Sequence, residues 1–182
     1  DLEAELPLIW GRTVHSVFIG GGTPSLFSDP ALERLLSGIR ARLALHPDAE
    51  ITLEANPGSA EQERFAGYRE AGVNRLSIGI QSLNDSHLNA LGRIHDAEQS
   101  FRAVRAARVA GFDNINLDLM FGLPDQDAAA ARADLESALA LQPEHLSWYQ
   151  LTLEPNTRFH ADPPVLPDED KIGTMQTLGQ TV

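Results

Sequence analysis

Short β-branched apolar runs alternate along this chain with longer stretches whose apolar residues recur every three to four positions. Val14 to Ile19 is the first run, ended by Gly20-Gly21-Gly22, and it predicts a buried strand that opens into a loop. Asp29 then stands where a helix cap would, with Pro30 at the first helical position, and Leu32, Leu35, Leu36, Ile39 and Leu43 form one apolar stripe. The unit repeats. Ile51 to Ala55 alternates apolar and polar before the turn Asn56-Pro57-Gly58, and Ser59 with Gln62 has the form of a capping box whose helix stops at Gly72. A third strand, Arg75 to Gln81, precedes a small helical piece from Ser86 to Leu91 and a clear helix from Asp96 to Ala110, stopped by Gly111. Ile115 to Met120 is the fourth strand, the alanine-rich Asp127 to Leu141 the next helix, and Leu146 to Leu153 the fifth strand. Ala71-Gly72-Val73-Asn74 and Ala110-Gly111-Phe112-Asp113 each lead from a helix into a strand, an internal echo of one repeated unit.

Beyond Pro155 the composition shifts, with Pro163-Pro164 and Pro167 reading as a linker. Asp168 to Leu178 begins a helix with nothing left in the chain to pack on. The chain opens without Met on Asp1-Leu2-Glu3-Ala4-Glu5-Leu6, which reads as the tail of a helix already under way. The expectation is a core over residues 1–155, a linker and the start of a further region over 156–182, and truncation at both ends.

Strands alternating with helices imply an α/β fold with parallel pairing and right-handed crossovers, either an open doubly wound sheet or a barrel. The polar positions choose between them. Thr52 and Glu54, then Ser77, Gly79 and Gln81, then Asn116 and Asp118 share one face of three strands, and the other face is aliphatic throughout. An open sheet covered by helices on both sides is apolar on both faces. One polar face therefore predicts a curved sheet with helices outside and a polar lumen inside, a partial (β/α) barrel of about five parallel strands that keeps a cavity for a ligand.

Composition narrows the function classes. With 182 residues a single domain is expected, and 14 Lys+Arg against 26 Asp+Glu give a net charge of -12, which repels a nucleic-acid backbone or an anionic membrane. No apolar stretch approaches the roughly 20 residues that span a bilayer, so the expectation is a cytoplasmic protein. Zero cysteines rule out disulfides, thiolate metal sites and a Cys nucleophile within this sequence.

The turn Gly20-Gly21-Gly22-Thr23 offers several unobstructed backbone N–H groups, a shape suited to a carboxylate or phosphate. It is not a Walker A loop, since no Lys-Ser or Lys-Thr follows. It departs from a dinucleotide fingerprint too, with Ser25 in place of the third glycine, Pro24 intruding, and Glu54 well beyond the spacing of about 20 residues at which a ribose-binding acid stands. Glu54, Gln81 and Asp118 each end a different strand on the polar face, the rim where barrel active sites are assembled. The alternative for the acids is a structural ion pair, for example with Arg75 or Arg93, but three polar strand ends around one glycine loop favour a site. His95 is expected to order a loop, His145 to lie at the surface, and Trp148 and Tyr149 to belong to the core or line a ligand cavity.

Together the segments Phe18 to Ser25, Leu53 to Gly58, Gly72 to Ser82, Leu91 to His95, Asn116 to Pro124 and His145 to Thr152 resemble the radical S-adenosylmethionine proteins of the oxygen-independent coproporphyrinogen III oxidase group, and most of all its haem-chaperone branch. The likeness runs over nearly the whole chain in one order. It implies a partial six-stranded barrel with S-adenosylmethionine at its C-terminal rim. Carried across by position, the resemblance implies that Gly21, Gly22 and Thr23 contact the methionine end or a second bound S-adenosylmethionine, that Glu54, Gln81, Arg93 and Asp118 are its other contacts, and that Thr152 is a weaker backbone contact. The resemblance also implies a [4Fe–4S] cluster on three cysteines, which this chain lacks; the five strands match the family's second to sixth, so the first strand and cluster loop are expected before Asp1. The functions it implies are transfer of haem to an apoprotein, with haem or porphyrin as a further ligand, or the radical decarboxylation of coproporphyrinogen. A dinucleotide-binding module is the third reading.

Overall fold

The structure is a computed structural model that describes residues 2–181; Asp1, at the head of the expected helix tail, lies outside them. Helix α1 (Leu2–Ile9) leads into strand β1 (Thr13–Ile19), helix α2 (Asp29–Arg40) and strand β2 (Ala44–Ala55). Two short helices, α3 (Ser59–Gln62) and α4 (Phe65–Ala71), precede strand β3 (Arg75–Gln81). Helices α5 (Asp85–Ala90) and α6 (Ala97–Val109), strand β4 (Ile115–Phe121), helix α7 (Ala128–Leu139) and strand β5 (His145–Gln150) follow, then helices α8 (Arg158–Ala161) and α9 (Glu169–Gly179).

All four strand pairings are parallel, and the spatial order is β1-β2-β3-β4-β5. Sequential order without a reversal is the signature of a sheet that curls in one direction. A dinucleotide-binding sheet needs the opposite, a switch point from which strands run both ways. The open sheet considered from sequence is thereby excluded, and the chain forms a curled half-barrel.

The two faces separate as the alternation predicts. Leu53, Leu76, Ile78, Ile80, Ile115, Leu117 and Leu119 are 0 % exposed and pack against the helices. Each such side chain withdrawn from water contributes about 1.5–3 kcal/mol. From α2 only Leu32 and Leu36 are fully buried; Leu35 is largely solvent-facing, and Leu43 lies beyond the helix end. Gly72 and Gly111 end α4 and α6 with φ of 103° and 88°, and the following Val73 and Phe112 N–H groups each donate back five residues, to Tyr68 O and Ala107 O. The internal echo is a repeated helix stop.

Several local expectations are corrected. Asp29 is inside α2; Ser28 is the N-cap and Pro30 the second helical residue. Ser59 likewise starts α3 behind an N-cap at Gly58, and Gln62 donates to Pro57 O at 2.8 Å. Strand β2 begins seven residues earlier than its alternation indicates, because His46-Pro47-Asp48 form an irregularity within the pairing to β1. Strand β5 ends at Gln150 because β4 turns away at Gly122, φ 71°. The helix expected to pack on nothing is docked: in α9 Met175 is fully buried, Ile172 and Met175 join Phe121 and Ala131, and Leu178 reaches the main core.

One buried group went unsuspected. Asp134, on α7, accepts from Ser82 Oγ at 2.7 Å and from Leu83 N at 2.8 Å, with Gln126 Nε2 at 3.5 Å. It ties the exit of β3 to the helix of the next strand–helix unit. Burial pushes its carboxyl above the ordinary value, and the Ser82 and Leu83 hydrogen bonds and the nearby His87 oppose that shift only in part. Asp134→Ala leaves the Leu83 N–H and Ser82 hydroxyl without their partner, at a cost of about 1–3 kcal/mol. Urea denaturation should read this as a lower midpoint at unchanged slope.

Candidate active site at the barrel rim

The lumen face of the sheet carries a connected polar network. Ser77 Oγ donates to Asp118 Oδ2 at 2.9 Å, and Asn116 Nδ2 donates to Asp118 Oδ1 at 2.8 Å and to Ser77 Oγ at 2.9 Å. Ser147 Oγ closes it by donating to Asn116 Oδ1 at 3.1 Å. The register makes this possible, since Ser77 lies opposite Asn116 and Asp118 opposite Ser147. Burial pushes the Asp118 carboxyl above its ordinary value, while the Ser77, Ser147 and Asn116 hydrogen bonds and the Arg75 charge oppose that shift.

Above this floor the strand ends surround a cavity of about 470 Å³, within the range of small-molecule sites. Gly22, Thr23, Glu54, Gln81, Arg93 and Asp118 line it together. Gly21 stands just behind, its N–H donating to Glu54 Oε2 at 3.2 Å, so the glycine turn is fastened to the end of β2. The turn is held from its other end by Tyr68, whose buried hydroxyl donates to Ser25 O at 2.5 Å. Thr152 is placed elsewhere: it faces a neighbouring hollow with Gly92, and its hydroxyl donates to Glu154 Oε1 at 2.9 Å.

The structural ion-pair alternative is not formed. Arg75 turns to Glu50 at 3.8 Å and to Thr52 Oγ1 at 3.3 Å, and among the described residues Glu54, Asp118 and Arg93 make no salt bridge. Their charges remain directed at the cavity. His95 orders a loop, as expected, with Nε2 3.2 Å from Ile80 O, and His145 is exposed at the start of β5. Sequence reading missed Asn56 and Ser147 as lining residues. Ser147 was findable, since it alternates with Leu146 and Trp148 on the same strand; Asn56 was hidden in what reads as a simple turn.

A curled parallel sheet with a polar lumen and a glycine loop at its C-terminal rim defines a class of cofactor-binding half-barrels. The Radical SAM superfamily matches residues 1–137 of this chain, and the chain belongs to that family. Among curated relatives, the haem chaperone HemW of Escherichia coli is 55% identical over 172 residues, which cover 94% of this chain and 46% of that protein. HemW of Haemophilus influenzae is 52% identical over 176 residues, covering 94% and 46%. Among solved structures, the Escherichia coli coproporphyrinogen III oxidase HemN, a radical SAM enzyme, superposes with a TM-score of 0.86 at 28% identity, covering 99% of this chain and 42% of that one. The chain spans about half the length of the curated relatives it matches.

The family implies S-adenosylmethionine and a [4Fe–4S] cluster, and the residues present answer the two differently. The donor set fits the first: a zwitterionic sulfonium nucleoside needs donors for its carboxylate and acceptors for its amine and hydroxyls, and the cavity holds both kinds. It does not fit the second. The chain has no cysteine, and among the described residues no group of three His, Asp or Glu is placed to hold a metal ion. No helix of the described residues is long and apolar enough to cross a membrane.

Asp118 gives the site a pH dependence. Its raised carboxyl takes up a proton at higher pH than an ordinary aspartate and then loses acceptor capacity, so affinity for a ligand amine or hydroxyl should fall as pH drops through that raised value. Asp118→Asn should weaken binding near neutral pH and flatten the profile. A wild-type affinity that is constant from pH 7 to pH 4 removes Asp118 from the contact.

Proposed function

We propose that this chain is the S-adenosylmethionine-binding part of a haem chaperone of the HemW kind, working in the cytoplasm with haem or a porphyrin as cargo and a haem-accepting apoprotein as partner. The observation that carries the reading is the 55% identity to a protein named haem chaperone, maintained over 94% of the chain. The cavity supports it chemically. Gly22 and Thr23 at the turn, with Gly21 behind them and Arg93 across the cavity, serve the cofactor's carboxylate end. Glu54 and Asp118 accept from its amine and hydroxyls, Gln81 adds an amide at the floor, and Thr152 contributes through its backbone at the edge. In this family the bound cofactor supplies radical chemistry when paired with a cluster, and the reading assigns the cluster ligands to residues outside these 182.

A second reading, oxygen-independent coproporphyrinogen III oxidase, is favoured by the structural similarity to HemN. A protein of the relatives' length that carries this chain and the cluster ligands would separate the two. Incubated anaerobically with coproporphyrinogen III, dithionite and S-adenosylmethionine, it should leave the substrate unchanged, and mixed after haem loading with an apo-haem protein it should lose its haem absorbance to the acceptor. Turnover of the porphyrinogen rejects the chaperone reading.

The 182-residue chain by itself should bind S-adenosylmethionine more weakly than micromolar, because no iron anchors the amine and carboxylate. Glu54→Ala should weaken it by a further factor of about ten, the worth of one charge-assisted hydrogen bond. Micromolar calorimetric affinity of the chain counts against the assigned role of the cluster, and an unaltered affinity in the variant removes Glu54 from the site.

A further inference from the structure

Gln81 is the last residue of β3, and the strand leaves the sheet there in a left-handed conformation, φ 63°, which side chains other than glycine rarely adopt. Its side chain is 5% exposed and enters the lumen. Two neighbours bracket the amide. Tyr149, on the lumen face of β5, donates its phenol proton to Gln81 Oε1 at 2.7 Å. On the other side, Gly79 leaves open the space that the amide nitrogen occupies, since a Cβ there would lie 2.8 Å from Gln81 Nε2. That same point is 3.8 Å from Ala55 O and from Asn56 Oδ1. With the phenol proton given to Oε1, the NH2 is left on the side of Gly79 and the cavity.

We propose that Tyr149 is a positioning residue of the ligand cavity: by engaging Gln81 Oε1 it holds the amide NH2 over Gly79, so that the cavity floor presents a fixed donor on the strand beside the acceptor Asp118. The ligand chemistry this selects is an acceptor, a carboxylate or hydroxyl oxygen or a ring nitrogen, set close to a donor that Asp118 receives. Taking that ligand as S-adenosylmethionine rests on the proposed function; the orientation of the amide does not. Tyr149 can play this part because burial and the neighbouring Asp118 both push its phenol further up, which keeps it protonated through the neutral range. Tyr149, 42% exposed as a residue, also faces the cavity directly, so a role through Gln81 must be distinguished from direct contact.

The test uses ¹⁵N–¹H spectra of the 182-residue chain and the variants Tyr149→Phe, Gln81→Ala, their double variant and Gly79→Ala. Without ligand, the Gln81 side-chain NH2 pair, identified by its loss in Gln81→Ala, should stand apart from the exposed glutamines and move toward them in Tyr149→Phe. Gly79→Ala should displace the same pair from the opposite side while Tyr149 is intact. A pair that moves in neither variant overturns the tether. S-adenosylmethionine is then titrated into the millimolar range. Tyr149→Phe should weaken binding about three- to tenfold, the effect of one hydrogen bond, and should add nothing in the Gln81→Ala background. Wild-type affinity in Tyr149→Phe, or two effects that multiply in the double variant, overturns the positioning role. A wild-type chain that binds no S-adenosylmethionine overturns the proposed ligand, and the NH2 signal still decides the tether.

Discussion

A carboxylate placed on the inner face of a curled sheet must find donors or surrender its charge. Asp118 is that carboxylate, and the lumen is arranged around it. Three adjacent strands each contribute one or two short polar side chains to its network, Ser77 from β3, Asn116 from β4 beside it, and Ser147 from β5. Short side chains are required because strands about 4.8 Å apart leave a serine or asparagine just enough reach to meet its neighbour across the ladder. Longer groups on the same face would fill the lumen. What results is a floor that is internally satisfied yet keeps its charge at the edge of an open cavity.

The same alternation that supplies this floor dictates the outside of the barrel. Every second residue of β3, of β4 and of β2 from Ala49 onward is apolar and fully or nearly fully buried, so the helices have one continuous apolar surface to cover. Because the pairing order follows the chain order, each crossover returns on the same side, and all strands point their C-terminal ends to one rim. Glu54, Gln81 and Asp118 are brought together for that reason, although they are far apart in the chain. Arg93 and the glycine turn come from the loops that follow two of these strands, and the turn is fixed by a bond at each end, Gly21 to Glu54 and Ser25 to Tyr68.

This much was legible from residues, because period-two alternation reports directly on which face is wet. What was not legible depends on contacts between distant segments. Asp134 sits in an alanine-rich helix where an acid reads as a solvent-facing residue, and only the fold brings Ser82 and Leu83 over it. The docking of α9 was invisible because its apolar residues, Ile172, Met175 and Leu178, are few, and the surface they meet is assembled from Phe121, Ala131 and Trp148 on three different elements. The early start of β2 was masked by Pro47 and Asp48, which break the alternation while the backbone continues its pairing beyond them.

Strand β5 shows how a marginal element is made firm enough to bear part of a site. It pairs with β4 alone and is therefore held by one ladder. Its alternate residues compensate in opposite directions. Trp148 points outward, packs at a tilt against Phe121 with ring centroids 4.3 Å apart, and lies under Gly179 of α9, where a larger residue would collide with the indole. Tyr149 points inward and reaches past β4 to Gln81 on β3. The left-handed backbone at Gln81 costs about 1–3 kcal/mol and persists only where its surroundings over-determine it. Burial of the side chain, the phenol bond and the missing side chain at Gly79 provide that determination. An outward aromatic anchor and an inward hydrogen bond on consecutive residues thus connect the packing of the last helix to the shape of the cavity floor through one strand.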